Sequence, residues 1–304
     1  MDVPHATPPE QPIVPHDGRF SERLRPIEAY APGPSDRQPI AILGMPDDTG
    51  VRLNNGRPGA REGPSAIRRA LSRMGVADPA GFDWPQVFDA GDVLPAGDDL
   101  DETHRRISEA AEALVRAGFF PIGLGGGHDL TFAFVRGVMH GLPEAERPLS
   151  GHYLDPHLDV RETPGSGMPF RRLLEDCGVR TLHIYGFDPV ANTREHHDWF
   201  TSHGGVVDRG HARLPSEPFF VSLDLDVLDA SAAPGVSAAN AAGLQPSALV
   251  PWLREAAGNA NIRCFDVMEL CPAHDDADRT ARVAARLLLA FLQGRSERRT
   301  KGLA

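Results

Sequence analysis

Residues 151–162 read GHYLDPHLDVRE, and the fold turns on how this stretch is parsed. Gly151 to Leu154 suit a short buried strand. Pro156 lacks the N–H that a central strand must donate, so the strand is expected to end near Asp155. Beyond it, Asp155, His157 and Asp159 stand at alternate positions. In an extended segment, residues two apart point to one side. Two carboxylates and an imidazole would then converge. Left alone this is costly, because like charges repel and burial penalises each carboxylate. A bound cation reverses the sign of that energy.

Working outward, short apolar runs recur at 40–43, 119–124, 181–185, 219–223 and 262–267. Amphipathic helical patterns lie between them at 63–74, 101–117, 247–257 and 279–292. Continuous apolar runs alternating with helices predict a mostly parallel sheet covered on both faces. In such sheets ligands bind beyond the carboxyl ends of the strands. Polar clusters sit at those ends here. FFPIGLGGGHD (119–129) delivers His128 and Asp129, FFVSLDLDVLD (219–229) delivers Asp224 and Asp226, and RCFDVMEL (263–270) delivers Asp266 and Glu269.

Each cluster alone has a plainer reading. GGGHD reads as a glycine turn with a helix-capping Asp129, and it lacks the Lys and Ser/Thr of a phosphate loop. DxHxD reads as a solvated turn, and DLD as a helix cap. Together, His128, Asp155, His157, Asp159, Asp224 and Asp226 offer six donors, too many for one tetrahedral zinc. An oxygen-rich set with two imidazoles suits Mn²⁺ or a similar ion, and six donors with shared carboxylates suit two ions.

Bulk properties narrow the alternatives. The chain has 304 residues, 41% hydrophobic and 24% charged, with a formal net charge of −11. That charge argues against nucleic acid as a partner, which needs a basic face. Cys177, Cys264 and Cys271 form no CxxC pair, which points to reduced thiols and a cytoplasmic protein. No secretory signal and no membrane-spanning apolar run is visible. Residues 1–38, rich in Pro and acidic residues, are expected to be a mobile tail, with His5 and His16 in it. A single catalytic domain is expected over 39–294, followed by a short tail over 295–304.

GGGHD, D-x-H-x-D and S-x-D-x-D-x-x-D, with Glu269 in DVMELCP, resemble the ureohydrolases: arginase, agmatinase and formimidoylglutamase. The resemblance runs from about Ile40 to Leu292. It implies a three-layer α/β/α sandwich and two Mn²⁺ ions per chain. One ion would be held by His128, Asp155, Asp159 and Asp224, the other by Asp155, His157, Asp224 and Asp226. Asp159 would accept a proton during the reaction, and Glu269 would hold the amidine nitrogen. A homo-oligomer is also implied.

Within the family, TGVRLNNGRPGAREGPSAIRRAL (49–71), GSGMPFRRLLED (165–176) and DASAAPGVSA (229–238) are most similar to formimidoylglutamases. Pro156, Asn240 and Cys271 depart from the usual pattern, and Phe170 stands where arginases carry a histidine. The resemblance implies hydrolysis of N-formimidoyl-L-glutamate to L-glutamate and formamide, in histidine degradation. A guanidino hydrolase releasing urea and a non-catalytic metal-binding relative are the alternatives. An acidic substrate on a net-negative chain calls for arginine, whose fork binds carboxylate in a bidentate way. Arg161, Arg171 and Arg172 are the leading candidates, with Arg57 and Asn54 behind them. His152 is expected to pack or cap, His196 and His197 to lie on a helix surface, and His274 and Cys271 to lie near Glu269.

Overall fold

The computed structural model describes residues 1–10, 15, 18–31, 38–77, 84–208 and 214–300, without the side chains of 298–300. In chain order the strands are β1 (Ala6–Thr7), β2 (Leu24–Pro26), β3 (Ile40–Met45), β4 (Val87–Val93), β5 (Phe120–Gly125), β6 (Ser150–Leu154), β7 (Leu182–Tyr185), β8 (Gly205–Val207), β9 (Phe219–Asp224) and β10 (Ile262–Met268). The helices are α1 (Thr49–Leu53), α2 (Gly63–Ser72), α3 (Leu100–Arg116), α4 (Leu130–Gly141), α5 (Pro169–Cys177), α6 (Arg194–Ser202), α7 (Pro246–Gly258) and α8 (Arg279–Thr300).

The strands form one sheet in the order β1-β4-β3-β5-β10-β9-β6-β7-β8, with β2 also pairing β4. Every pairing is parallel except β1 with β4. Alternation along the strands feeds two cores. Ile40 and Ile42 of β3 join one with Val221, Leu223, Phe265 and the helices α2, α7 and α8. Ala41, Leu43 and Met45 join the other with α3, α4 and α5. Each large apolar side chain buried at such a position contributes roughly 1.5–3 kcal/mol by leaving water, so both helix layers are held to the sheet. The result is the expected three-layer α/β/α sandwich.

Among the elements the pattern did not mark are β4 and α4. β4 contains Asp89 and Asp92, which interrupt an apolar reading. They pair with the buried Arg68 of α2: Nε and Nη2 reach Asp89 at 2.9 and 2.8 Å, and Nη1 reaches Asp92 at 2.5 Å. A buried arginine needs those partners, so polar residues mark this strand. α4, with LTFAFVRGVM, is apolar all round, and periodicity cannot distinguish such a run from a strand.

The tail expected over 1–38 is tied down where the structure describes it. β1 and β2 pair with β4, Phe20 and Ile27 are buried, and His5 Nε2 lies 2.7 Å from Glu109 Oε2. Sparse periodicity hid this, because two- and three-residue strands carry almost no pattern. His16 lies outside the described residues. The tail expected over 295–304 is likewise helical to Thr300, with Ser296 buried and the Arg295 guanidinium 4.2 Å from the Phe120 ring centroid.

Candidate metal centre

β5, β10, β9 and β6 are neighbours in the sheet, and their carboxyl ends supply the cluster. His128 follows β5, Glu269 follows β10, Asp224 ends β9 and Asp155 follows β6. The loop after β5 needs its glycines for room: a Cβ at Gly126 would lie 1.7 Å from the Asp47 carbonyl oxygen. Asp129 does not cap α4 with its side chain. It is buried, with Oδ2 2.8 Å from His104 Nε2 on α3.

The two acidic motifs fold in the same way. Asp155 Oδ1 accepts the His157 N–H at 2.6 Å, and Asp224 Oδ1 accepts the Asp226 N–H at 2.8 Å. These aspartate turns hold the second residue of each motif beside the first. Asp155 Oδ2, Asp159 Oδ2 and Asp224 Oδ2 each lie 3.0 Å from His128 Nδ1. Asp155 Oδ1 and Asp226 Oδ2 lie 3.2 and 3.3 Å from His157 Nδ1. The six residues thus form two donor groups, His128–Asp155–Asp159–Asp224 and Asp155–His157–Asp226, with Asp155 in both. Asp159 and Glu269 have φ of +49° and +66°, a region that favours glycine. Such strain, costing on the order of 1–3 kcal/mol, clusters at functional sites.

The donor set fits divalent cations. His128 Nδ1, Asp155 Oδ2 and Asp226 Oδ1 are buried without a hydrogen-bond partner among the described residues. One imidazole proton cannot serve three carboxylates, whereas a cation can. Behind His128, Nε2 meets Ser222 Oγ at 3.0 Å, and that hydroxyl donates to Asp266 Oδ1 at 2.6 Å. Ser222 therefore accepts from Nε2–H, which leaves the Nδ1 lone pair aimed at the cluster.

Without cations the cluster is electrostatically uncomfortable. Burial, then Asp226, pushes Asp224 up to about 7. Burial, then Asp159 and Asp224, raises Asp155, and burial, then Asp155, raises Asp226. For His157 burial opposes charge, yet hydrogen bonds donated to Asp155 and Asp226 push it up to about 12. A carboxyl raised on folding favours the cation-free fold below its ordinary range of about 4, and that contribution is lost as pH rises through about 7. Cations act oppositely, since they require ionised carboxylates and neutral imidazoles. The Tm difference between Mn²⁺-loaded and chelator-treated protein is therefore expected to widen between about pH 5 and about pH 8. A constant or narrowing difference would count against cation binding by these residues.

Above the cluster lies a cleft of about 360 Å³ lined by Asn54, Arg57, Arg161, Asn192, His196 and Glu269 among others. Arg57 is committed: Nε and Nη2 donate to the carbonyls of Ser237 and Val236 at 2.8 and 2.6 Å. Asn54 donates to Ser166 Oγ at 3.2 Å. Arg161 is exposed at the mouth, and its guanidinium has no hydrogen-bond or ion-pair partner among the described residues.

Arg171 and Arg172, expected to bind substrate, do not line the cleft. α5 buries Phe170 and Leu173, so the arginines between them turn away at 100° per residue. Arg171 pairs with Glu175 and lies over Trp199, while Arg172 pairs with Asp176 and lies over Phe132. Phe170 stacks on Tyr153 and meets His128 edge-on. Neither His274 nor Cys271 lines the cleft, and the Cys271 thiol faces the Pro58 carbonyl at 3.4 Å.

His196 was missed, having been read as surface, and it lines the cleft from α6. Asn192 was missed too. Its Nδ2 donates to the Pro156 carbonyl at 2.7 Å and its Oδ1 accepts from the Leu158 N–H at 2.8 Å, fixing the loop that carries His157. Only the chain fold brings it there, and no local signal marks it.

A parallel α/β sandwich with two adjoining acid–imidazole groups at its strand ends defines a protein built to hold a pair of cations. Residues 38–293 match the Arginase family, and the chain belongs to it. It is 37% identical over 281 residues to the formimidoylglutamase of Aromatoleum aromaticum, covering 82% of this chain and 81% of that one. The formimidoylglutamase of Nocardia farcinica is 33% identical, with 90% and 92% covered. The Trypanosoma cruzi formiminoglutamase structure with Mn²⁺ superposes with a TM-score of 0.79 at 27% identity, covering 87% of this chain and 97% of that one. A proclavaminate amidino hydrolase from Streptomyces clavuligerus gives 0.75 at 26% identity, covering 88% and 95%.

Proposed function

We propose that this protein is a formimidoylglutamase that converts N-formimidoyl-L-glutamate and water to L-glutamate and formamide, the reaction its curated relatives are named for. His128, Asp155, Asp159 and Asp224 would hold one Mn²⁺, and Asp155, His157 and Asp226 the other, with Asp224 beside both. When bound, two such ions lower the pKa of water enough to supply a nucleophile near neutral pH. The residues do the rest. Glu269, 5% exposed at the cleft floor, accepts from the amidine N–H and holds the carbon in line for attack. Asp159 takes the water proton on the carboxylate oxygen not committed to the cation group and returns it to the departing amine of glutamate.

The observation that carries the substrate choice is Arg161. Its unpartnered guanidinium at the mouth of the cleft can meet a carboxylate, while Arg57 is occupied. A charge-assisted pair contributes about 1.5–3 kcal/mol, or roughly 10- to 150-fold in binding. Arg161→Ala is therefore expected to raise KM for formimidoylglutamate by roughly that factor with kcat little changed, and Arg171→Ala to change neither.

The experiment compares formimidoylglutamate, agmatine, arginine and guanidinobutyrate with Mn²⁺-loaded protein. Formamide from the first alone supports the reading. Urea from a guanidino compound replaces the substrate and keeps the site. The free thiols Cys177, Cys264 and Cys271 accord with a cytoplasmic location. None of the described helices is long and apolar enough to cross a membrane. A homo-oligomeric assembly belongs to the same reading.

A further inference from the structure

At the far edge of the sheet, β6, β7 and β8 place a second donor cluster on one face. His152 of β6 and His183 of β7 are register partners, and their rings stack at 4.7 Å with planes 13° apart. His183 in turn faces Val206 of β8, and Asp208, two residues on, shares that side. The Asp208 N–H donates to the Ile184 carbonyl at 2.9 Å, which fixes the residue beside β7.

The polar atoms here are poorly served. His152 is 2% exposed, and neither of its ring nitrogens has a hydrogen-bond partner among the described residues. Asp208 Oδ2 is also buried without a hydrogen bond among the described residues. His183 Nδ1 stands 3.3–3.4 Å from the Asp208 oxygens, at the outer limit of a hydrogen bond. One donor atom from each of His152, His183 and Asp208 lies within 4.8 Å of the others. Phe219 and Trp252 rings stand 5.9 and 6.2 Å from the His152 ring, giving the cluster an apolar wall.

We propose that His152, His183 and Asp208 form a third cation site, separate from the paired centre and suited to Zn²⁺ or Co²⁺. Two imidazoles and one carboxylate, with water in the fourth place, match these borderline ions better than they match Mn²⁺. Burial, reinforced by His183, pushes His152 down to about 3, so the ring is neutral and free to ligate at neutral pH. Small side-chain rotations would draw the three donors onto one ion. Such an ion would fasten the edge strand β8 to β6, which runs directly into Asp155.

The test counts zinc. Full-length protein saturated with Mn²⁺ is equilibrated with a slight excess of Zn²⁺, washed, and analysed by mass spectrometry of its metals. Wild type is expected to retain one zinc per chain more than either His183→Ala or Asp208→Asn. Both changes are at partly exposed side chains, and Zn²⁺ should raise the Tm of wild type but not of the variants. Anomalous scattering at the zinc edge from wild-type crystals should peak between the three residues. Equal zinc in all three proteins, or scattering at the paired centre alone, would overturn the site. Should one variant fail to fold, the other variant and the wild-type scattering still decide the matter.

Discussion

Asp155→Asn is expected to empty both cation groups at once and lower kcat by on the order of three orders of magnitude or more. Asp155 is the one residue common to both donor groups, with Oδ2 3.0 Å from His128 Nδ1 and Oδ1 3.2 Å from His157 Nδ1. Asparagine keeps the shape but has a single carbonyl oxygen and no charge. Asp226→Asn should be milder in metal content, because Asp226 belongs to one group only. The chelator-treated Asp155→Asn protein should melt no lower than chelator-treated wild type, since it loses a buried charge among carboxylates. That separates loss of metal from loss of fold. Metal analysis and turnover at saturating Mn²⁺ decide it, and full occupancy with activity within about tenfold of wild type would sink the bridging role.

The second large effect is expected at Glu269. Its Oε1 accepts the His128 N–H at 2.8 Å, its backbone holds φ at +66°, and its carboxylate lines the cleft beside Asp224 and Asp226. Glutamine can still accept from His128, so His128 should stay in place and the metal content should not change. What is lost is the negative charge facing a cationic amidine. Glu269→Gln is expected to lower kcat by about 10²–10³-fold, the range for removing one preorganised electrostatic partner. Intact kcat would reject a role in the reaction. Lost metal would mean that Glu269 acts by positioning His128.

Read alone, the sequence determined what depends on neighbours along the chain. The two-residue spacing of Asp155, His157 and Asp159, and of Asp224 and Asp226, sets which side chains share a side. Continuous apolar runs at 40–43, 119–124 and 219–223 identify strands buried on both faces. Because the sheet is parallel, those runs end on one rim, and the six donor residues could be named together. Short strands such as β1 and β2 and the polar β4 were not legible, since their stability comes from partners such as Arg68, distant in sequence.

The tertiary structure decided whatever depends on direction across the molecule. Arg171 and Arg172 adjoin a loop that looks like a binding loop, yet the packing of Phe170 and Leu173 turns them toward Trp199 and Phe132. Arg161 faces the cleft beside Asn192 and His196, which arrive from a later segment. His152, His183 and Asp208 meet because β6, β7 and β8 lie side by side in register. Spacing along a strand fixes which face a side chain takes, but which strands become neighbours is set by burial of both sheet faces over the whole chain.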